Sequence, residues 1–136
     1  MTFALQRRLL QGAVAFACLI PLGMGALSLV HGPAILRGIG AEAPVDLDSH
    51  FRYLSGLLLG IGLAFASCIP TIERSTARFQ TLGFIVVVGA LGRLVSLSDE
   101  GTPGSGHLFG LLMELVCVPL LMLWQARLAR TAPPAP

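Results

Sequence analysis

Two charged residues lie inside long apolar stretches of the chain, where opposite charges can form an ion pair shielded from water. Arg93 lies in the apolar run 79–97, and Glu114 lies in the run 107–124. A lone charge at the centre of a membrane helix costs about 2.5–3.5 kcal/mol on insertion scales. Opposite charges in adjacent helices therefore predict that Arg93 and Glu114 compensate each other within salt-bridge distance.

The residues leave two interpretations of this pair open. In the first, the pair only fixes the register of two helices, and removing one partner leaves the other charge uncompensated. In the second, the pair belongs to a site that binds a ligand, a lipid headgroup or a proton, because ionisable residues inside membranes commonly mark functional sites. Both interpretations require helices that carry the two side chains into the membrane.

The composition indicates that such helices span a membrane. Of the 136 residues, 54% are hydrophobic and 12% are charged, with a mean hydropathy of +0.80. A soluble domain usually carries about 25% charged residues, so this chain has too few to cover a water-exposed surface. The net charge of +2 is too small for a nucleic-acid surface, which argues against a nucleic-acid partner.

Four apolar runs, each close to the ~20 residues that cross a bilayer, predict four transmembrane helices. Helices satisfy their own backbone hydrogen bonds in lipid, so we expect an all-α, membrane-embedded four-helix bundle. A single domain is predicted over residues 1–130, followed by a disordered tail at 131–136. The four runs are 9–30, 51–69, 79–97 and 107–124.

Local signals predict where these helices begin and end. Ser75 is expected to cap the third helix, and the segment 98–106 (SDEGTPGSG) is expected to form a turn outside any helix. Pro21 and Pro119 are expected to kink the first and the fourth helix. The segment 33–40 is suited to a short interfacial helix. Three side chains are expected to cap the second helix, namely Asp46, Asp48 and Ser49.

The arginines predict how the helices are oriented, because cytoplasmic loops carry an excess of basic residues. With four spans, six arginines share one side, while Arg37 and Arg52 share the other side with acidic residues such as Glu42. We therefore expect a multi-pass membrane protein with both termini in the cytoplasm. The six arginines are Arg7, Arg8, Arg74, Arg78, Arg127 and Arg130.

Counting residues from the outer ends of the third and fourth helices places Arg93 and Glu114 at one depth, ~7–10 Å below the outer surface. Other polar side chains fall at that level, which predicts a polar cluster of ligand-binding or structural character comprising Arg52, Arg93, Glu114, Tyr53 and His107. No nucleophile–base pair can be named, and no histidine or cysteine spacing matches a metal site. A metal and a cofactor are therefore not expected, and enzymatic activity stays open but is disfavoured.

The chain resembles the small bacterial four-helix membrane proteins of domain-of-unknown-function family 4345. The resemblance rests on the segment 51–62 (FRYLSGLLLGIG), on 92–96 (GRLVS) with the turn 99–103 (DEGTP), and on Glu114. It covers about residues 9–129. It implies a four-helix membrane bundle in which Arg52, Arg93 and Glu114 match the family's polar positions, and it implies no activity.

Two functions are compatible with these features. The first is an integral membrane scaffold, or an accessory subunit packed against a larger inner-membrane complex. Its partners would be the lipid bilayer and other membrane subunits. The second is a bundle that binds a small molecule or a lipid, with or without enzymatic activity, at an outward-facing site formed by Arg52, Arg93 and Glu114.

Overall fold

The structure, a computed structural model, describes residues 2–36 and 43–133. Arg37 and Glu42, which entered the prediction of orientation, lie outside the described residues. So does the second half of the predicted interfacial helix at 33–40, whereas its first residues belong to a short 3₁₀ turn, Gly32–Ile35. Of the predicted tail, residues 131–133 are described and 134–136 are not.

Helices make up nearly all of the described chain, and no strand occurs within it, so the predicted all-α fold is confirmed. Four helical stretches are long and apolar enough to cross a membrane. The helices are α1 (Phe3–His31), α2 (Val45–Cys68), α3 (Thr76–Glu100), α4 (Ser105–Leu112) and α5 (Val118–Arg130). A π-helical turn, Met113–Cys117, joins α4 to α5 in one continuous stretch, the fourth span (Ser105–Arg130).

Two compact units make up the chain, and each is described by itself. Unit one contains Met1–Ala13 and Pro70–Pro136, and unit two contains Val14–Ile69. The start of α1, α3 and the fourth span therefore belong to unit one, while the rest of α1 and α2 belong to unit two. The single four-helix domain predicted over residues 1–130 stays a prediction.

Two predicted helix boundaries are wrong. Helix α2 starts at Val45 after Pro44, so Asp46 and Asp48 lie in its first turn, where acidic side chains favour the positive end of the helix dipole. Helix α3 continues through the predicted turn as far as Glu100 and ends at Gly101, whose φ of 94° suits glycine. Polar residues at the end of α3 therefore extend the helix and do not end it.

Ser75 precedes α3 as predicted, but its side chain does not cap the helix. The Ser75 hydroxyl instead donates to the Thr71 carbonyl at 2.9 Å. It stabilises the turn before the helix, where a 3₁₀ segment, Ile69–Thr71, follows α2.

Glycine permits close helix contact within unit two. A Cβ atom at Gly25 of α1 would lie 2.8 Å from the backbone nitrogen of Leu59 in α2. A Cβ atom at Gly62 would lie 3.2 Å from Pro21 and Leu22. By contrast, Gly60 has open space beside it, so Gly25 and Gly62 provide the close approach, whereas Gly60 of the 56–60 GxxxG pattern does not.

A buried glutamine organises unit one. Gln125 of α5 is fully buried, and its amide nitrogen donates to the Ile72 carbonyl at 2.8 Å and to the Thr76 hydroxyl at 2.9 Å. Its side-chain oxygen accepts a hydrogen bond from Gln80 at 3.2 Å. Because a buried amide is costly unless it is paired, this network fixes α5 against the start of α3.

An ion pair joins the start of α1 to the turn before α3. The Arg7 guanidinium donates to the Glu73 carboxylate at 2.8 Å and to the Pro70 carbonyl at 2.7 Å. Burial acts to raise the pKa of Glu73, but backbone hydrogen bonds and Arg7 together outweigh it. The net effect lowers the pKa of Glu73 below its ordinary value.

This lowered pKa predicts how stability changes with pH. A carboxylate with a lowered pKa in the folded state stabilises the protein above its unfolded pKa of about 4.3. That stability is lost as the pH falls through the folded-state pKa. Glu73→Gln should therefore lower the melting temperature at pH 7 and leave it nearly unchanged near pH 3. Thermal melting in detergent tests this, with Glu100→Gln, an exposed site at the end of α3, as the control. A Glu73→Gln effect that is equal at both pH values would contradict the prediction.

Candidate functional site

The widened turn of the fourth span carries the glutamate predicted to be buried. Glu114 lies in the π-helical turn, and the Val118 amide donates to the Met113 carbonyl five residues earlier. Pro119 follows at once, has no amide hydrogen and would press against the carbonyl four residues before it in a regular α-helix. The widened turn is the structural response to this proline, and such turns are frequent at functional sites.

Arg93 of α3 meets Glu114 as the sequence predicts. The Nε atom of Arg93 lies 3.1 Å from Oε2 of Glu114. Oε2 is buried, yet it receives no aligned hydrogen bond from any described residue. The two groups therefore attract each other mainly by charge, because the Nε–H bond does not point at the oxygen. The Arg93 side chain is 42% exposed and that of Glu114 is 19% exposed, so the pair is open on its arginine side.

His107 of α4 also contacts Arg93, with 3.3 Å between Nη1 of the guanidinium and Nδ1 of the ring. Because a guanidinium only donates hydrogen bonds, Nδ1 acts as the acceptor in this contact. Arg93 is thus held between a carboxylate and an imidazole from two turns of the same span.

An open cavity of about 220 Å³ lies beside this arginine. Arg93 and His107 provide its polar wall, and its remaining lining residues are Ser96, Leu97, Pro103 and Leu111. A guanidinium and an imidazole on an apolar wall can hold a small anionic or polar group through hydrogen bonds.

Arg52 has a different set of partners, all in unit two. Its Nε donates to Asp48 at 2.8 Å, one helical turn earlier in α2. Its Nη1 donates to the carbonyls of Leu29 at 2.6 Å and Val30 at 2.9 Å. These carbonyls lie in the last turn of α1, where a helix has unpaired acceptors and a negative dipole end. Arg52 therefore caps α1.

Gly32 lies directly against this cap. Its φ is 63°, and an added Cβ atom would lie 2.5 Å from Asp48 and 2.6 Å from Arg52.

Tyr53 is 62% exposed, and its ring lies 6.4 Å from that of His50, centroid to centroid. Within unit one the structure therefore brings together Arg93, Glu114 and His107. The predicted contact of Arg52 and Tyr53 with these three stays a prediction.

A family model described as "Domain of unknown function (DUF4345)" matches residues 9–125, which include all four predicted spans. The chain belongs to the DUF4345 family. No curated protein and no solved structure matches it.

For this DUF4345 member, sequence reasoning missed two polar contacts. The Asp48–Arg52 pair has the spacing of helical neighbours four residues apart, which is a usable sequence signal. Gln125 follows Trp124 at the end of an apolar run, and nothing in the sequence distinguishes it from an interfacial glutamine. Only the packing of α5 on the turn before α3 buries it. Among the described residues, no group of three or more His, Cys, Asp or Glu side chains could hold a metal ion.

Proposed function

We propose that this protein is a scaffold or accessory subunit of a larger complex in the bacterial inner membrane. The proposal rests on how small a fraction of α3 and of the fourth span is buried by other residues of the chain. Only 11% of the most apolar stretch of α3 is buried, and none of the corresponding stretch of the fourth span. A subunit that packs against another membrane protein leaves such surfaces for its partner.

The surface of α3 is suited to helix packing. Gly89 and Gly92 are exposed, and an added Cβ atom at either position would meet nothing within 4 Å. Small residues allow two membrane helices to approach closely, and van der Waals contact drives their association. Exposed large side chains flank these glycines, including Val88 at 48% and Leu91 at 50% exposure. The side chains of a partner helix would pack between them.

Leucine at both glycines tests this proposal. Gly89→Leu/Gly92→Leu should release the protein from its high-mass complex on a native gel in mild detergent. Its own melting temperature should stay unchanged, because neither glycine has a neighbour to clash with. Gly12→Leu, another position with open space, is the control and should leave the complex intact. A wild-type protein that migrates alone under these conditions would refute the proposal.

The proposed orientation places both termini in the cytoplasm. It is supported by the six arginines shared by the start of α1, the turn before α3, the first turn of α3 and the end of α5. A single cysteine introduced at Ser105 should react with a membrane-impermeant maleimide added to intact cells. A cysteine introduced at Thr131 should react only after lysis. The native cysteines are replaced by alanine in both variants, and labelling of the Thr131 variant from outside would reverse the orientation.

A second candidate, binding of a small molecule or lipid, is favoured by the open cavity beside Arg93. Its wall carries a half-exposed guanidinium and the His107 ring. Ser96→Leu should fill the cavity without touching the ion pair. Under this candidate, native mass spectrometry should show a co-purifying ligand on the wild type and on the Ser98→Leu control. The ligand should be missing from Ser96→Leu. Equal ligand on all three proteins, or none on the wild type, would exclude this candidate.

A further inference from the structure

One end of unit one carries six arginines and a single acidic residue. Five of the arginines are exposed, and Arg7 is partly buried. Glu73 is the acidic residue, and Arg7 already occupies its carboxylate at 2.8 Å. The arginines lie in the first turns of α1, in and just after the turn before α3, and in the last turn of α5. They are Arg7, Arg8, Arg74, Arg78, Arg127 and Arg130.

Hydrogen bonds bring these three parts of unit one together. Arg7 fastens the start of α1 to the Pro70 carbonyl and to Glu73. Gln125 fastens α5 to the same turn through the Ile72 carbonyl and the Thr76 hydroxyl. Arg7 and Gln125 each lie within a few residues of exposed arginines in the sequence, and consecutive Cα atoms are only about 3.8 Å apart. The charges are therefore concentrated on one face, which we call the arginine face.

The chemistry of the arginine face matches a phosphate-rich surface. The chain contains nine arginines and no lysine. A guanidinium presents two parallel N–H donors to a phosphate, which an ammonium cannot do. The helices that carry the face are long and apolar enough to span a membrane, so their ends lie at the level of lipid headgroups.

We propose that the arginine face binds the headgroups of anionic phospholipids and so surrounds this end of the protein with them. The excess of positive charge supplies attraction, and the forked donors supply contacts to the phosphate. Glu73 offsets only one of the six positive charges, because its carboxylate is paired with Arg7. The binding is independent of any partner subunit and of the cavity beside Arg93.

Trp124, the single tryptophan, reports on this face because it lies next to Gln125 in α5. The full-length protein is placed in vesicles of one fixed mixture of phosphatidylglycerol and phosphatidylcholine. Bromine, which quenches tryptophan, is carried either on the chains of the phosphatidylglycerol or on those of the phosphatidylcholine. The surface charge is then identical, and only the position of the quencher differs. Brominated phosphatidylglycerol should quench Trp124 with an apparent association constant at least about fivefold higher than that of brominated phosphatidylcholine. This is the factor expected from one favourable arginine near a membrane surface.

Two matched variants and salt identify the cause. Replacing Arg8, Arg74, Arg127 and Arg130 with glutamine should strongly reduce the preference, because only Arg7 and Arg78 of the six arginines remain, whereas replacing the four with lysine should keep most of it. Sodium chloride at 0.5 M shortens the electrostatic screening length to roughly 4 Å, so it should weaken the preference in the wild type. Equal quenching by the two brominated lipids in the wild type would overturn the proposal even if the glutamine variant failed to fold. A preference that is undiminished in a folded glutamine variant would overturn it as well.

Discussion

Glu114→Gln is expected to lower the free energy of unfolding by roughly 2–3 kcal/mol, since it leaves Arg93 without its counter-charge. Breaking a fully buried ion pair typically costs about 3–5 kcal/mol. The open side of Arg93, 42% exposed, reduces this cost because water or a lipid phosphate can reach the guanidinium. Thermal melting in detergent measures the change, and Asp99→Asn at the exposed end of α3 is the control.

The double variant Arg93→Met/Glu114→Leu separates the two interpretations of the pair. Replacing both partners by apolar residues removes both desolvation costs, so much of the lost stability should return. If the double variant melts like the wild type but fails to support the protein's cellular role, the pair acts beyond fixing helix register. If Glu114→Gln leaves melting and expression untouched, the pair contributes nothing to stability, and Arg93 is satisfied from its open side.

Gly25→Ala should destabilise the protein toward the upper end of about 1–3 kcal/mol, which is the usual cost of overpacking. The new methyl group would lie 2.8 Å from the backbone nitrogen of Leu59 and 3.0 Å from its Cα atom. A backbone atom cannot rotate away as the end of a side chain can, so α1 and α2 would have to separate locally.

Gly23→Ala is the matched control for this prediction. It lies two residues earlier in the same helix and has open space beside it. Alanine is favoured over glycine in helices, so this change should be neutral or slightly stabilising. Melting temperatures in one detergent compare the two variants directly. Equal effects at both positions would show that helix propensity, and not contact with Leu59, governs the response.

The four spans could be predicted from the sequence because hydropathy is a local property. Four runs near the length of a bilayer crossing appear as four long apolar helices, although α2 and α3 extend beyond their predicted bounds. The meeting of Arg93 with Glu114 could also be predicted, because depth in a membrane follows from counting residues along each helix. The strong cost of a lone charge then leaves few other arrangements.

Only the tertiary structure determined which partner each polar side chain contacts. Arg52 lies at the same predicted depth as Arg93, yet its hydrogen bonds go to Asp48 and to the last carbonyls of α1. Gln125 is buried by contacts with the turn before α3, and Gly25 is packed against Leu59 while Gly23 is open. In helices that are apolar on nearly every side, periodicity does not reveal the inward face. The direction of each side chain therefore depends on how neighbouring helices rotate and pack, and that is a property of the folded chain.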